Sequence, residues 1–296
     1  MKIFVTGGTG FIGSHIVRAL VADGHEAVVL RREKSSLHRC ADFEKQVVWV
    51  NQDGPDWTQS VIAEKPDAII HAAWAGVTAA GRDDWKLQST NLKLFADLLH
   101  IAGNASLKHF VALGSQAEYG FINGRVDETH PCRPDTAYGA TKLAALALLE
   151  GCARQKKTAY AWLRLFSVYG PGEGEAWFIP NLIRRMKLGQ SPQLSGCEQR
   201  YDYLHVHDLA AALLAVLRHP ETSGVFNLSS NASLPLKEVV QLVKEYTGCR
   251  AEPELGALPY RLGQSMHMEG DSTRFYRTFA FQPKITLAEG LRAMIV

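Results

Sequence analysis

Long apolar runs are missing from this chain of 296 residues. None approaches the roughly 18 consecutive apolar residues that a membrane-spanning helix requires, so no membrane is expected as a partner. Cysteine is scarce. Cys40, Cys132, Cys152, Cys197 and Cys249 are odd in number, far apart and without any C-x-x-C pair. That pattern argues against a disulfide framework or a zinc site and predicts no bound metal. His205 and His207 are close together but lack partners at zinc-ligand spacing, so they read as ordinary polar residues. Neither sign of charge dominates: 32 Lys and Arg against 30 Asp and Glu leave +2, too little for a basic nucleic-acid surface. Met1–Thr6 runs straight into a glycine cluster, without the roughly 7–15-residue apolar core of a secretory signal. These absences together predict a protein of the reducing cytoplasm. No internal repeat or low-complexity tract occurs. What is present is globular: 46% hydrophobic and 21% charged residues exclude wholesale disorder.

The first half alternates short apolar runs with helical patterns. Strands are predicted at Lys2–Thr6, Ala27–Leu30, Val47–Val50, Asp67–His71, Phe110–Leu113 and Ala159–Phe166. Helices are predicted at Phe11–Ala22, Trp57–Glu64, Asp83–Ala102 and Thr136–Gln155. Continuous apolar strands between amphipathic helices indicate α/β architecture: a doubly wound parallel sheet of Rossmann type, covered on both faces. Beyond Gly170-Pro171-Gly172 the order loosens. Helices at Phe178–Lys187, Val206–Arg218, Leu236–Tyr246 and Leu287–Met294, with short strands such as Val225–Leu228, read as a smaller mixed α/β lobe. The expected division is a nucleotide-binding domain over residues 1–170 and a substrate lobe over 171–296, with the chain free to cross between them.

The segment TGGTGFIG sets Gly7, Gly10 and Gly13 between the first strand and the first helix. A turn that tight needs residues tolerant of positive φ. A pyrophosphate can then approach bare backbone and meet the amides of Phe11, Ile12 and Gly13 at the positive helix start. Its place at the head of a β-α-β unit makes this glycine pattern far more specific than a lone triplet. The second strand ends Val29-Leu30-Arg31-Arg32. A carboxylate there would hold the ribose 2′-hydroxyl of NAD(H). Arg31 and Arg32 instead suit a 2′-phosphate, which favours NADP(H) over NAD(H).

Tyr138 and Lys142 are spaced i, i+4 in a helical pattern and so share one face. An ordinary tyrosine ionises near pKa ~10, and a neighbouring ammonium is expected to lower that value and make Tyr138 a usable acid or base. Ser115 ends the fifth strand, where ligands of doubly wound sheets sit. Its hydroxyl is placed to hydrogen-bond a carbonyl or alcohol. Trp74, just after His71-Ala72-Ala73, is the tryptophan expected to face the same cleft.

The chain resembles the extended short-chain dehydrogenases/reductases, the family of nucleotide-sugar epimerases, dehydratases and 4-ketoreductases. The likeness runs through TGGTGFIG, HAAWAG at 71–76, Asn91, GSQAEYG at 114–120, YGATK at 138–142, LRLFSVYGPG at 163–172 and DYLHVHDLA at 202–210. It implies a triad of Ser115, Tyr138 and Lys142. Cofactor contacts are implied at Ala72, Ala73, Asn91 and Phe166, with Asn91 beside the helix of Lys142. It also implies that Arg261 contacts a nucleotide diphosphate, and that the two long helices form a homodimer seam. Two positions depart from the family pattern. Ser167 stands where Asn is usual. Tyr201 precedes Asp-Tyr where Arg is frequent, and Arg200 is displaced by one residue, which in a strand turns it to the other face. Tyr201 is therefore expected to pack on the base or sugar. The third-strand region Val50-Asn51-Gln52-Asp53 also departs from the usual Gly-Asp, and Asp53 is expected near the adenine. Trp74, Gln116, Ser167, Tyr201 and Arg261 make the expected substrate set.

The reaction expected is NADPH-dependent reduction of a nucleotide-diphosphate-linked 4-keto-6-deoxysugar at C4, with Tyr138 as proton donor. Gln116 and Ala117 stand where a 4,6-dehydratase carries an acid–base pair, which lowers that reading. The alternatives are a nucleotide-sugar 4-epimerase with retained NAD(P) and a non-catalytic NADP-binding regulator.

Overall fold

A computed structural model of the chain describes residues 1–295. Its strands are β1 (Lys2–Thr6), β2 (Glu26–Arg31), β3 (Val48–Asn51), β4 (Ala68–His71), β5 (His109–Ser115), β6 (Gly124–Val126), β7 (Ala159–Leu165), β8 (Ser167–Tyr169), β9 (Arg200–His205), β10 (Gly224–Leu228), β11 (Ser233–Pro235) and β12 (His267–Gly270). Its helices are α1 (Phe11–Ala22), α2 (Trp57–Ala63), α3 (Ala79–Arg82), α4 (Trp85–Asn104), α5 (Ala137–Lys156), α6 (Phe178–Lys187), α7 (Val206–Leu217), α8 (Leu236–Thr247), α9 (Thr273–Phe279) and α10 (Leu287–Ile295). Among the described residues no helix is long and apolar enough to cross a membrane.

Seven strands form one parallel sheet in the order β10-β7-β5-β4-β1-β2-β3. The strand order reverses at β1, between β2 and β4, and this is the switch point where doubly wound sheets bind ligands. Each face is sealed by helices. Ile16, Val17 and Leu20 of α1 pack with Leu209, Leu213 and Val216 of α7 and with Phe275 and Phe279 of α9 on one side. On the other, Val61, Phe95, Leu98, Ile101, Leu146 and Leu149 pack on Phe4, Ile69 and Trp162. Burial on both sides is why these strands read as continuous apolar runs. A second sheet runs β11-β9-β12-β6, with β8 on β9, and α6, α8 and α10 bury their apolar faces together beside it.

The chain crosses the expected boundary at residue 170 in both directions. β10, α7 and α9 come from the second half yet complete the large sheet and its helical cover. β6 comes from the first half yet pairs with β12 of the small sheet. Three of the helices begin where a side chain caps them. Asp84 accepts from Leu87 N and starts α4 after Asp83, and Thr136 accepts from Gly139 N to start α5. The His205 Nδ1 does the same for His207 N at α7, which gives this histidine its structural role.

Two predictions follow from this packing. Leu213 is fully buried against α1, so Leu213→Ala is expected to cost about 2–5 kcal/mol in denaturant unfolding, and a chain ending at residue 170 is expected to show no cooperative transition. The second concerns acid. Burial holds His71 down to about 3, His109 to about 4 and His205 to about 4, from 6.5. Below pH 6.5 the unfolded chain binds more protons at these sites than the folded one. Stability is therefore present above that value and falls with pH by up to about 1.4 kcal/mol per unit per histidine. A urea midpoint that falls steeply between neutrality and pH ~5 is the expected result.

Candidate active site

β1 delivers the chain into Gly7, whose φ of +77° only glycine adopts without strain. The turn closes with Gly10 N donating to Gly7 O at 2.9 Å. A Cβ on Gly13 would lie 2.0 Å from Gly7 O, so α1 can cross the turn only as glycine. A Cβ on Gly7 would meet the Ala73 amide nitrogen at 2.6 Å, and this places Ala72 and Ala73, at the end of β4, against the same turn. Thr6 joins the two strand ends: its Oγ1 lies 2.8 Å from His71 Nδ1 and accepts from Ala73 N at 3.3 Å. α1 begins at Gly10 with no side-chain cap and no acidic residue in its first turn. The Phe11, Ile12 and Gly13 amides therefore sit at an uncompensated positive helix end, which fits a pyrophosphate.

At the end of β2, Arg31 lays its guanidinium over the Trp49 ring at 5.3 Å, and Arg32 is exposed in the following turn. Asp53 accepts from Glu33 N at 2.7 Å and so shapes the loop that carries both arginines.

Ser115, Tyr138 and Lys142 converge at the carboxyl end of β5. Ser115 opens a short 3-10 turn, accepting from Ala117 N at 3.2 Å while Glu118 Oε1 accepts from Ser115 N at 2.7 Å. Glu118 has no exposure. It also accepts from Trp162 Nε1 at 2.9 Å and pairs with Arg164 Nε at 2.8 Å. Tyr138 and Lys142 share one helix face, as the spacing predicts, but the expected lowering of the phenol pKa is not what the site produces. Lys142 Nζ donates to Leu113 O at 2.6 Å and stands 3.7 Å from the centre of the Trp74 ring, 6.0 Å from that of Tyr138. Burial pushes the Tyr138 phenol up rather than down, while the nearby Ser115 hydroxyl and the charge of Arg82 oppose it. Burial likewise lowers the Lys142 pKa, and the Glu118 charge resists.

Trp74 meets Tyr138 edge-on at 6.3 Å and donates its Nε1 to Gln88 Oε1 at 2.9 Å. Asn91 uses its amide on the Ala75 backbone, accepting from N at 2.8 Å and donating to O at 3.2 Å. It thus fastens the loop after β4 to α4. The Phe166 ring is buried with Tyr119, Ile122 and Val126, against Gly270, and joins the two sheets. Gln116 and Ser167 are half-buried beside Ser115 and along β8. Arg200 donates to Ser233 O at 2.7 Å on the neighbouring strand β11. Tyr201 accepts from Gln264 Nε2 at 3.1 Å, and Gln264 Oε1 accepts from Arg261 N at 3.1 Å, so one amide links the two expected substrate residues of the second lobe.

The sequence model of the NAD dependent epimerase/dehydratase family matches residues 3–229. The chain belongs to this family. It is an enzyme of the extended short-chain dehydrogenase/reductase type. It is 28% identical to the UDP-glucose 4-epimerase of Lactobacillus helveticus, over 96% of this chain and 92% of that protein. It is 27% identical to the GDP-6-deoxy-D-mannose reductase of Pseudomonas aeruginosa, over 99% and 96%. A UDP-glucose 4-epimerase of Thermotoga maritima, solved with UDP-glucose, superposes with a TM-score of 0.89 at 27% identity, covering 100% of this chain and 97% of that one.

Three residues of this family member went unnoticed in the sequence. Glu118 had a signal, since Ser-x-x-Glu is a capping-box pattern. Gln88 and Arg82 had none. Their importance comes from a loop that folds back on itself. As a test of the glycine cradle, Gly13→Ala must displace the Gly7 backbone. Calorimetric titration with NADP+ and NAD+ is expected to show at least a tenfold loss of affinity, about 1.4 kcal/mol, for whichever nucleotide binds.

Proposed function

We propose that the enzyme uses NADPH to reduce C4 of a nucleotide-linked 4-keto-6-deoxysugar. The observation that carries this reading is the end of β2, where Arg31 and Arg32 occupy the place of a ribose-binding carboxylate. Guanidinium groups match a 2′-phosphate in charge and geometry, and a reductant that is consumed and replaced suits NADPH. The Gly7–Gly13 cradle holds the pyrophosphate on the Phe11 and Ile12 amides, with Ala72 and Ala73 as its wall. When bound, the nicotinamide supplies the hydride. Tyr138 gives its proton to the sugar oxygen. Ser115 hydrogen-bonds that oxygen as charge builds on it, and its own position is fixed by Glu118 through the backbone amide. Lys142, anchored on Leu113 O, holds the nicotinamide ribose. Trp74, Gln116 and Ser167 border the sugar, and Tyr201 and Arg261 the nucleotide. A dehydratase would need a free acid–base pair after Ser115. Ala117 offers none, and the Glu118 carboxylate is engaged by the Ser115 amide, Trp162 and Arg164.

A second reading, a 4-epimerase with a retained cofactor, is favoured by the likeness to UDP-glucose 4-epimerases over the whole chain, since the same three side chains serve hydride transfer in either direction. We also infer a homodimer formed through α4 and α5, where Leu148 is exposed on the outer face.

NADPH consumption with a panel of purified 4-keto nucleotide sugars decides between the readings. Stoichiometric oxidation is expected. Interconversion of 4-hydroxy sugars without net NADPH loss would replace the reductase by the epimerase. Tyr138→Phe is expected to lower kcat by about 10²–10⁴-fold. Arg31→Ala is expected to raise the KM for NADPH about tenfold or more, and to leave that for NADH unchanged, because it removes a charged hydrogen bond made only to the 2′-phosphate.

A further inference from the structure

Lys142 is not the cation nearest the Tyr138 ring. The guanidinium carbon of Arg82 lies 4.7 Å from the ring centroid, against 6.0 Å for Lys142 Nζ. Arg82 ends the four-residue helix α3. Among the described residues no carboxylate pairs with it, although Asp83 and Asp84 follow it directly. Asp84 instead turns its carboxylate to Leu87 N at 2.9 Å.

The loop that carries Arg82 is held firmly. Gly76, at φ +72°, and Gly81 pass so close that a Cβ on Gly81 would lie 2.7 Å from Gly76 Cα. Gln88 is fully buried, and its Nε2 donates to Gly76 O at 2.8 Å and Gly81 O at 2.9 Å. Its Oε1 accepts from Trp74. One amide on α4 therefore fixes both groups that flank the phenol, Trp74 at the ring edge and Arg82 over the ring face. A guanidinium stacked on an aromatic face is attracted to its π electrons, and it is attracted more strongly when the ring carries negative charge.

We propose that Arg82 is a positioning residue of the active site, a second cation clamped over Tyr138 that shares with Lys142 the stabilisation of the negative charge left when the Tyr138 proton passes to substrate. This rests on the reading of Tyr138 as the proton carrier. The groups that face the phenol are Lys142 on its own helix, Ser115 and Glu118 after β5, Trp74 after β4 and Arg82 on α3. Burial and Glu118 raise its proton affinity, and Ser115 and Arg82 lower it.

The test labels the full chain with 3-fluorotyrosine, whose phenol ionises more readily than tyrosine, and follows the Tyr138 fluorine resonance against pH. The signal is assigned by its absence in Tyr138→Phe. In Arg82→Met and Arg82→Gln the midpoint is expected to rise by about one pH unit, a tenfold gain in proton affinity. Arg82→Lys is expected to restore at least half of the shift. An unmoved midpoint in the neutral variants, or a lysine variant no better than methionine, overturns the proposal. The titration needs no turnover. Inactivity on every 4-keto nucleotide sugar together with a displaced midpoint would defeat the reductase reading and leave Arg82 in its role.

Discussion

The active site depends on a buried negative charge. Glu118 has no contact with solvent, and a carboxylate in that position persists only if the protein supplies the donors that water would. Ser115 N, Trp162 Nε1 and Arg164 Nε do so, at 2.7, 2.9 and 2.8 Å. The donors come from the carboxyl ends of β5 and β7, which lie side by side with Gly114 opposite Arg164. Gly114 is glycine because a Cβ there would stand 2.1 Å from Trp162 Nε1 and bar the indole from the carboxylate. Arg164 extends the network to the Tyr119 hydroxyl at 3.0 Å, which donates to Asn227 Oδ1 on β10 at 2.7 Å. Asn227 in turn donates to Val126 O on β6 at 2.9 Å. Ser115 is thus tied through one continuous set of hydrogen bonds to both sheets. Loss of Arg164 would leave the carboxylate buried without its counter-charge, a penalty of about 3–5 kcal/mol in comparable pairs.

The same edge of the sheet explains why the glycine turn and the acid–base side chains meet. β1 and β4 are neighbours, and β4 is followed in the sheet by β5. The uncapped start of α1 after β1, the Trp74–Arg82 loop after β4 and Ser115 at the end of β5 are therefore adjacent in space although more than a hundred positions separate the first from the last. α5 brings Tyr138 and Lys142 to this edge because Gly139 lets the helix lie on the Ser115 turn, where a Cβ would meet Ala117 O at 2.2 Å.

What was legible in the sequence was what is local. The glycine turn, the strand–helix alternation and the shared face of Tyr138 and Lys142 each depend on residues within about one helical turn or one strand. The ends of side chains did not follow from spacing. Lys142 Nζ reaches a carbonyl 29 positions away and Glu118 an arginine 46 positions away, and neither partner has a periodic signature. The short strands β6, β8, β11 and β12 have three or four residues each, too few for alternation to declare itself. The boundary at residue 170 was obscured for a different reason. β10 reaches the large sheet by a crossover from the second half of the chain, and its apolar run is compatible with either lobe.

The electrostatic state of Tyr138 bears on how its proton moves. A reductase needs an acid that keeps its proton until negative charge appears on the substrate oxygen. An epimerase that begins from an alcohol needs the phenolate from the start. Burial favours the neutral phenol, and it also weakens the hold of Lys142 on its own charge. The opposing influences, the Ser115 hydroxyl and the Arg82 cation, strengthen as charge develops on the phenol, since hydrogen bonds to ionised oxygen are shorter and stronger than those to a neutral hydroxyl. An acid that is reluctant at first and is supported only while its proton leaves suits donation to a ketone, the step that a reduction and the return half of an epimerisation have in common.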